Sequence, residues 1–147
     1  MKGVVIVSIK LKGRPISKGY AEGEAIVCPE AIGFNFGVDV ETGTIIEHNH
    51  PLQNQSFKDK ILVFPRGKGS TGGSYVVYQV AKLKTGPKAI INVTTETIIA
   101  AGAIMGGIPV IDKLEQNPLE VIANGDYVKV DANNGTVEIF KKGEMRS

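Results

Sequence analysis

The sequence has few of the side chains that build disulfide frameworks and metal centres. Its 147 residues include one cysteine, Cys28, and two histidines, His48 and His50. A single cysteine excludes an internal disulfide and a multi-cysteine metal site within this chain. The two histidines lack a third ligand at a helical or hairpin spacing, so we expect no zinc site. Cys28 follows an apolar run and precedes Pro29, and we expect a buried structural thiol there rather than a nucleophile.

Long apolar runs and a large excess of one charge are also lacking. No segment is long enough to span a membrane, and the short apolar run within residues 1–8 is followed by basic residues, which favours a strand over a secretory leader. The formal net charge is +2 with acidic and basic residues interspersed, which predicts neither a nucleic-acid nor a membrane partner. A length of 147 residues suits a single domain over residues 1–147, and 42% apolar residues are enough for its core. Since neither a leader nor a membrane span is predicted, we expect a cytoplasmic protein.

Glycine is abundant at 18 residues, which indicates many tight turns. The spacing of apolar and turn residues predicts a mixed α/β fold, with β hairpins from both ends of the chain around a central βαβα layer. The predicted strands span residues 4–11, 21–27, 44–47, 61–64, 89–93, 109–111, 127–130 and 136–140, and the predicted helices span residues 74–84 and 98–105. The first helix should end at Gly86-Pro87, and the strands that flank it should be parallel.

The segment between the strand at 61–64 and the following helix carries the most chemical information. It contains Gly67-Lys68-Gly69-Ser70-Thr71-Gly72, preceded by Arg66. Glycines let backbone N–H groups approach a ligand, and the helix N-terminus adds its positive dipole end. Two hydroxyls and two cations lie in the same turn. The segment therefore predicts an anion site with a potentially reactive hydroxyl.

Three other interpretations of this loop stay open. It fits the Gly-x-Gly-x-x-Gly pattern of dinucleotide-binding domains, but Asn92 lies where an acidic residue is expected and Glu96 comes late. It spaces two glycines like a phosphate-binding P-loop, but Gly73 occupies the lysine position. It is also compatible with a glycine-rich turn that only lets a strand and a helix pack closely.

Several short segments, taken together, resemble one family. They are Gly13-Arg14, residues 19–25, residues 37–39 with 42–43, residues 50–52, residues 60–63 and residues 65–70. In this order they are similar to the small subunits of the aconitase X family, over about residues 13–111. The sequence departs from the family at Val40, where proline is usual, and at Asn35-Phe36-Gly37, where a glycine pair is common.

The resemblance implies a fold and a partner. The fold is the swivelling β/β/α domain of aconitase-like enzymes. The partner is a separate large subunit, which carries the cysteine ligands of a 4Fe–4S cluster. The single Cys28 of this chain fits that division, because one thiolate does not hold such a cluster.

The reaction implied by the resemblance is loss of water from (R)-5-phosphomevalonate, a small anionic substrate, to give trans-anhydromevalonate 5-phosphate in an archaeal isoprenoid route. Ser70 matches the serine whose alkoxide takes the proton in that family. Such an alkoxide needs stabilisation. The N–H groups of Gly69, Thr71 and Gly72 are the expected donors. The expected cation is Arg66 or Lys68.

Other residues keep two interpretations each. Thr71 and Ser74 are expected to bind the substrate carboxylate or phosphate, with helix capping as an equal alternative for Ser74. His50 either faces the site or braces a turn, and we favour the brace. Arg14 either contacts substrate or the large subunit, or forms a surface salt bridge. The role of Asp39 stays open.

Two rival functions follow from the same residues. One is a dehydratase subunit of the same family that acts on another hydroxy acid, such as a hydroxyproline. The other is a non-catalytic swivelling or carrier module, which needs a phosphorylatable histidine in a mobile loop. His48 and His50 lie in a loop, but Ser70 would then have no task.

Overall fold

The computed structural model describes residues 7–142. It contains ten strands and four helices within that range. They are β1 (Ser8–Lys12), β2 (Arg14–Ser17), β3 (Tyr20–Val27), α1 (Phe34–Gly37), β4 (Val38–Asp39), β5 (Thr44–Ile45), β6 (Ile61–Phe64), α2 (Gly72–Lys82), β7 (Ala89–Asn92), α3 (Thr97–Gly106), β8 (Val110–Asp112), α4 (Pro118–Val121), β9 (Tyr127–Asp131) and β10 (Thr136–Phe140).

Eight of the strands form one sheet, and the chain links its two edge strands through a single residue. The strand order is β1-β10-β9-β3-β6-β7-β8-β2, and β4 and β5 form a separate small hairpin. The strands at the two ends of this order, β1 and β2, are consecutive in the chain with only Gly13 between them. The Gly13 N–H donates to the Gly135 carbonyl at 2.9 Å. A Cβ at residue 13 would lie 2.7 Å from the Asp112 carbonyl oxygen, so only glycine fits at this junction.

The sheet separates two apolar cores. Along β6, Ile61 and Val63 point to a cluster that also contains Val128 and Ile139, whereas Leu62 and Phe64 point to a second cluster beneath the helices. All four β6 side chains are buried. A strand covered on both faces needs apolar side chains on both faces. The residues of β6 are therefore continuously apolar and do not alternate with polar ones.

The central βαβα layer is present as predicted. Strands β3, β6, β7 and β8 are mutually parallel, and α2 and α3 each follow one of these strands. The two helices pack closely, because Gly102 of α3 has no side chain and its backbone lies directly against Ser74 and Val77 of α2. In parallel sheets of this type, ligands bind at the carboxyl ends of the strands. The loop at 65–71 lies at that end of β6.

The mixed α/β fold is confirmed, with several corrections to the boundaries. The first central helix spans Gly72–Lys82 rather than 74–84, and Lys84 rather than Gly86 adopts the left-handed conformation after it, with φ of 61°. The segment expected as a loop at 34–43 contains α1 and β4, and neither β2 nor α4 was predicted. Of the strand expected at 4–11, residues 1–6 lie outside the described residues, and β1 begins at Ser8.

Candidate functional site

The glycine-rich loop is held in place by the segment that precedes α1. The Ile32 N–H donates to the Arg66 carbonyl at 3.2 Å, and the Lys68 N–H donates to the Ile32 carbonyl at 3.1 Å. Between them, Gly67 has no room for a side chain: a Cβ there would lie 2.8 Å from Ile99 Cγ1. The next glycine, Gly69, has φ of 99° and open space around it, a conformation that glycine adopts at little cost. The loop thus turns sharply and presents Ser70.

Ser70 lies at the entry to α2 with its side chain exposed. Its carbonyl accepts a hydrogen bond from the Gly73 N–H at 3.0 Å, which starts the helical turn. Its Oγ accepts a hydrogen bond from the side-chain amide of Asn35 at 2.7 Å. Asn35 belongs to α1, so two elements that are far apart in sequence fix this hydroxyl.

A charged pair lies beside the serine. The Lys68 ammonium donates to Glu47 Oε2 at 2.7 Å, and the Gly33 N–H donates to Glu47 Oε1 at 3.3 Å. Burial by itself raises the pKa of a carboxyl group, but the Lys68 and Gly33 hydrogen bonds outweigh it and hold the pKa of Glu47 below its ordinary value. Glu47 is therefore ionised at neutral pH, and the pair keeps the Lys68 amine at one wall of the site.

These groups line one open cavity of about 410 Å³. The polar side chains of its wall are Asn35, Glu47, His48, Lys68 and Ser70, and the apolar part includes Phe36 and Ile46. Phe36 is 88% exposed and Ile46 is 49% exposed. A cavity with a hydroxyl, a Lys68–Glu47 ion pair and an apolar wall suits a small polar organic ligand.

The predicted site residues divide into two groups. Lys68, Gly69 and Ser70 line the cavity, and four others do not: Arg66, Thr71, Gly72 and Ser74. The Arg66 guanidinium donates to the Gly67 carbonyl at 3.3 Å. The Ser74 hydroxyl donates to the Thr71 carbonyl at 2.8 Å within the first turn of α2, and Thr71 is the N-cap residue but makes no side-chain cap.

Sequence reasoning missed four side chains of this site: Asn35, Phe36, Ile46 and Glu47. A one-turn helix is too short to show a periodic pattern, so α1 was expected to be loop. The Glu47–Lys68 pair joins residues 21 apart, and local spacing does not reveal such a contact. A signal was nevertheless present, because Asn35 and Phe36 occupy the stretch where the sequence departs from the family.

His50 and Arg14, whose roles the sequence left open, both make contacts that stabilise the fold. The Leu52 N–H donates to His50 Nδ1 at 3.1 Å, so Nε2 carries the hydrogen and donates to the Ala31 carbonyl at 3.1 Å. His50 is buried and braces its turn, unlike the mobile histidine of a carrier domain. Arg14 forms a bidentate pair with the buried carboxylate of Asp112 at 2.9 and 2.8 Å.

Three further residues that the sequence analysis discussed, Asp39, Asn92 and Cys28, also have structural surroundings that explain them. Asp39 accepts the Glu41 N–H at 3.0 Å in the turn between β4 and β5. Asn92, at the position where a dinucleotide-binding domain needs an acid, is buried and donates to the Phe64 carbonyl at 3.0 Å. Cys28 is fully buried, and burial raises the pKa of its thiol. A dinucleotide site gains no support from this geometry.

Residues 7–142 offer no group of three or more histidine, cysteine or acidic side chains that could hold a metal ion. With its lone thiol buried, the described part of the chain does not fit an iron–sulfur cluster. None of the helices in this part of the chain is long and apolar enough to cross a bilayer.

The fold and the serine loop define a swivel domain of the aconitase type, and comparison with known proteins agrees. The family model for the aconitase X swivel domain matches residues 10–139. The chain therefore belongs to the aconitase X swivel domain family.

Individual relatives are similar over nearly their whole length. The phosphomevalonate dehydratase small subunit of Methanosarcina mazei is 49% identical over 95% of this chain and 96% of its own. The protein of the same name from Methanocaldococcus jannaschii is 50% identical over 91% of this chain and 100% of its own. The crystal structure of aconitase X from Thermococcus kodakaraensis in its holo-form matches with a TM-score of 0.85 at 48% identity, over 90% of this chain and 99% of that one.

Proposed function

We propose that this chain is the small subunit of a phosphomevalonate dehydratase, a hydro-lyase that removes water from (R)-5-phosphomevalonate to give trans-anhydromevalonate 5-phosphate. Membership of the aconitase X swivel family and near-full-length similarity to archaeal proteins of that name support it. The observation that carries the proposal is the geometry of Ser70. Its hydroxyl stands exposed in a cavity at the carboxyl end of β6 and accepts a hydrogen bond at 2.7 Å.

Ser70 is the proposed proton acceptor. In each turnover its alkoxide takes the proton from the substrate carbon, the electron pair of that bond forms the carbon–carbon double bond, and the carbon–oxygen bond breaks with its electron pair on the leaving hydroxide. Transfer of the serine proton to that hydroxide forms the released water and restores the alkoxide. A serine hydroxyl is a weak acid, so the site must stabilise its anion. The N-terminal end of α2 favours negative charge there, and the Lys68 ammonium in the same cavity adds to this when it turns from Glu47 toward the serine.

The substrate's own charges need partners as well. We assign its carboxylate and phosphate to the side chains of Lys68, Arg66, Thr71 and Ser74 and to the N–H groups of Gly69, Thr71 and Gly72. Of these side chains, Lys68 lines the cavity. The Arg66 guanidinium and the hydroxyls of Thr71 and Ser74 lie outside its wall and would reach a ligand only by turning toward it.

We place the 4Fe–4S cluster of the reaction on a large subunit, because the described residues of this chain do not offer its ligands. That cluster is the proposed Lewis acid for the departing hydroxyl. The large subunit would cover the open side of the cavity, where Phe36 and Ile46 are exposed. Exposed apolar side chains around a site are typical of a surface that another chain covers. A phosphorylated substrate does not cross a bilayer unaided, so we place the reaction in the cytoplasm.

The test is an anaerobic assay of the reconstituted complex. The chain is mixed with a cluster-loaded large subunit and phosphomevalonate, and Ser70→Ala is compared with wild type. Loss of the base should lower kcat by about 10²- to 10⁴-fold. Ser8→Ala is the matched control, because Ser8 lies on β1, four strands from β6, and its hydroxyl donates to Glu138 at 2.7 Å.

Each outcome has a meaning. Wild-type turnover from Ser70→Ala would remove the proton-acceptor role. A wild-type complex that dehydrates a hydroxyproline and leaves phosphomevalonate untouched would replace the substrate and keep the family. Both conclusions require that the Ser8→Ala control turns over at the wild-type rate.

A further inference from the structure

Helix α1 directs three consecutive side chains to three different tasks. Phe34 is buried, with its ring centroid 5.8 Å from that of Phe57 and 6.0 Å from that of Phe64. Phe36 is exposed at the cavity. Asn35, between them, donates from its amide nitrogen to Ser70 Oγ at 2.7 Å. The helical turn is closed by the Gly37 N–H on the Gly33 carbonyl at 2.9 Å, so Asn35 stands on an anchored element.

We propose that Asn35 is a positioning residue for Ser70: its amide N–H orients the hydroxyl and stabilises the alkoxide form. This inference rests on the proposed function. A hydrogen bond to an ionised acceptor is roughly twice as strong as one between neutral groups. The Asn35 bond therefore strengthens when Ser70 loses its proton. Because this gain belongs to the reactive form of the serine, it raises kcat rather than substrate affinity.

Gly72 supports this assignment from the other side. A Cβ at residue 72 would collide with the amide oxygen of Asn35. Residue 72 is the first residue of α2, where glycine is a weak helix former and alanine is a good one. The absent side chain leaves the space that the Asn35 amide occupies. Gly72→Ala should thus push the amide away from Ser70 without weakening the helix, which gives an independent way to break the same hydrogen bond.

The experiment uses the reconstituted complex with phosphomevalonate and begins with Asn35→Ala. We expect kcat to fall by about 10- to 100-fold, somewhat less than for a donor that contacts the substrate itself. KM should stay within about twofold, since uniform binding is not removed. The matched control is Asn133→Ala, an exposed asparagine in the turn between β9 and β10, which should match wild type.

The pH profile of Asn35→Asp separates positioning from a merely structural role. At neutral pH an aspartate carboxylate beside Ser70 Oγ would disfavour the alkoxide, and kcat should fall further than in Asn35→Ala. Below the pKa of that carboxyl group, its protonated form donates a hydrogen bond as the amide does. The ratio of the Asn35→Asp rate to the wild-type rate should therefore rise as the pH falls. A packing defect would leave that ratio constant.

Gly72→Ala and the double variant complete the test. If residue 72 acts through Asn35, Gly72→Ala lowers kcat in the wild-type background and has little further effect in Asn35→Ala, a non-additivity that a double-mutant cycle measures. Full additivity would mean that the two residues act separately and would overturn this part of the inference. If the kcat of Asn35→Ala lay within twofold of the wild-type value while Ser70→Ala was inactive, the role of Asn35 would be refuted and that of Ser70 would stand. An active Ser70→Ala would overturn both proposals.

Discussion

Replacing Phe34 by alanine should remove the anchor that fixes α1, and its cost can be worked from the contacts. The side chain is 1% exposed and packs against two aromatic rings, with centroids 5.8 and 6.0 Å away. Phenylalanine-to-alanine changes in cores cost about 3–5 kcal/mol, and each aromatic pair adds about 0.5–1.5 kcal/mol beyond buried area. We expect a loss of about 4–5 kcal/mol in the free energy of unfolding. Phe34→Leu, which loses chiefly the ring contacts, should cost about 1–3 kcal/mol.

The chain carries its own control two residues away. Phe36 is 88% exposed, so Phe36→Ala should change the free energy of unfolding by no more than about 0.5 kcal/mol. With an m-value of about 2 kcal/mol/M, the urea midpoint should fall by about 2 M for Phe34→Ala and barely move for Phe36→Ala.

One of these variants, Phe36→Ala, also tests whether the large subunit covers the open side of the cavity. Phe36→Ala should weaken binding to the large subunit by about tenfold or more, as expected of an aromatic anchor at an interface. Equal urea midpoints for the two alanine variants would refute the assignment of Phe34 as the buried anchor. A complex of unchanged affinity would refute the role given to Phe36.

Two further predictions concern acid stability and thiol reactivity. Burial raises the pKa values of Asp112 and Asp126, but hydrogen bonds, chiefly from Arg14 and Lys141 respectively, outweigh it and hold both below the ordinary 3.8. The stability that the two carboxylates add is complete above about pH 5 and is lost as the pH falls through the lowered pKa values. Urea midpoints measured from pH 7 to pH 2.5 should stay level and then drop, less steeply in Asp126→Asn, and a loss that begins near pH 6 would contradict this. Cys28 is fully buried with a raised thiol pKa, so the folded chain at pH 8 should resist alkylation and the urea-unfolded chain should react fully; rapid alkylation of the folded chain would contradict this.

The sequence predicted those elements whose cause is local. The strands Ile61–Phe64 and Thr136–Phe140 match their predicted bounds, because breakers or a turn bound a short apolar or alternating run. The serine loop was also found locally, since a glycine-rich turn between a strand and a helix leaves a pattern in consecutive residues.

What was missed depends on contacts between distant residues. The Asn35–Ser70 bond joins residues 35 apart and the pairing of Ser8 with Phe140 joins the two ends of the described chain. Neither is encoded by spacing along the sequence. The end of α2 was misplaced for a related reason: Lys84 takes the left-handed conformation there at φ of 61° although Gly86 lies two residues on. The Thr85 and Gly86 N–H groups both donate to the Val80 carbonyl, at 2.9 and 3.0 Å, so the turn that ends the helix closes over Lys84.

The junction at Gly13 has a consequence for how the protein is made. Because β1 and β2 lie at opposite ends of the strand order and share this one glycine, β1 finds its partner only in β10, where Lys12 pairs with Thr136 and Ser8 with Phe140. During synthesis β1 emerges from the ribosome more than a hundred residues before β10 does. The central layer can form earlier, since its parallel strands follow one another in the chain. Pairing of β1 with β10 is thus a late and slow step, dominated by loop-closure entropy.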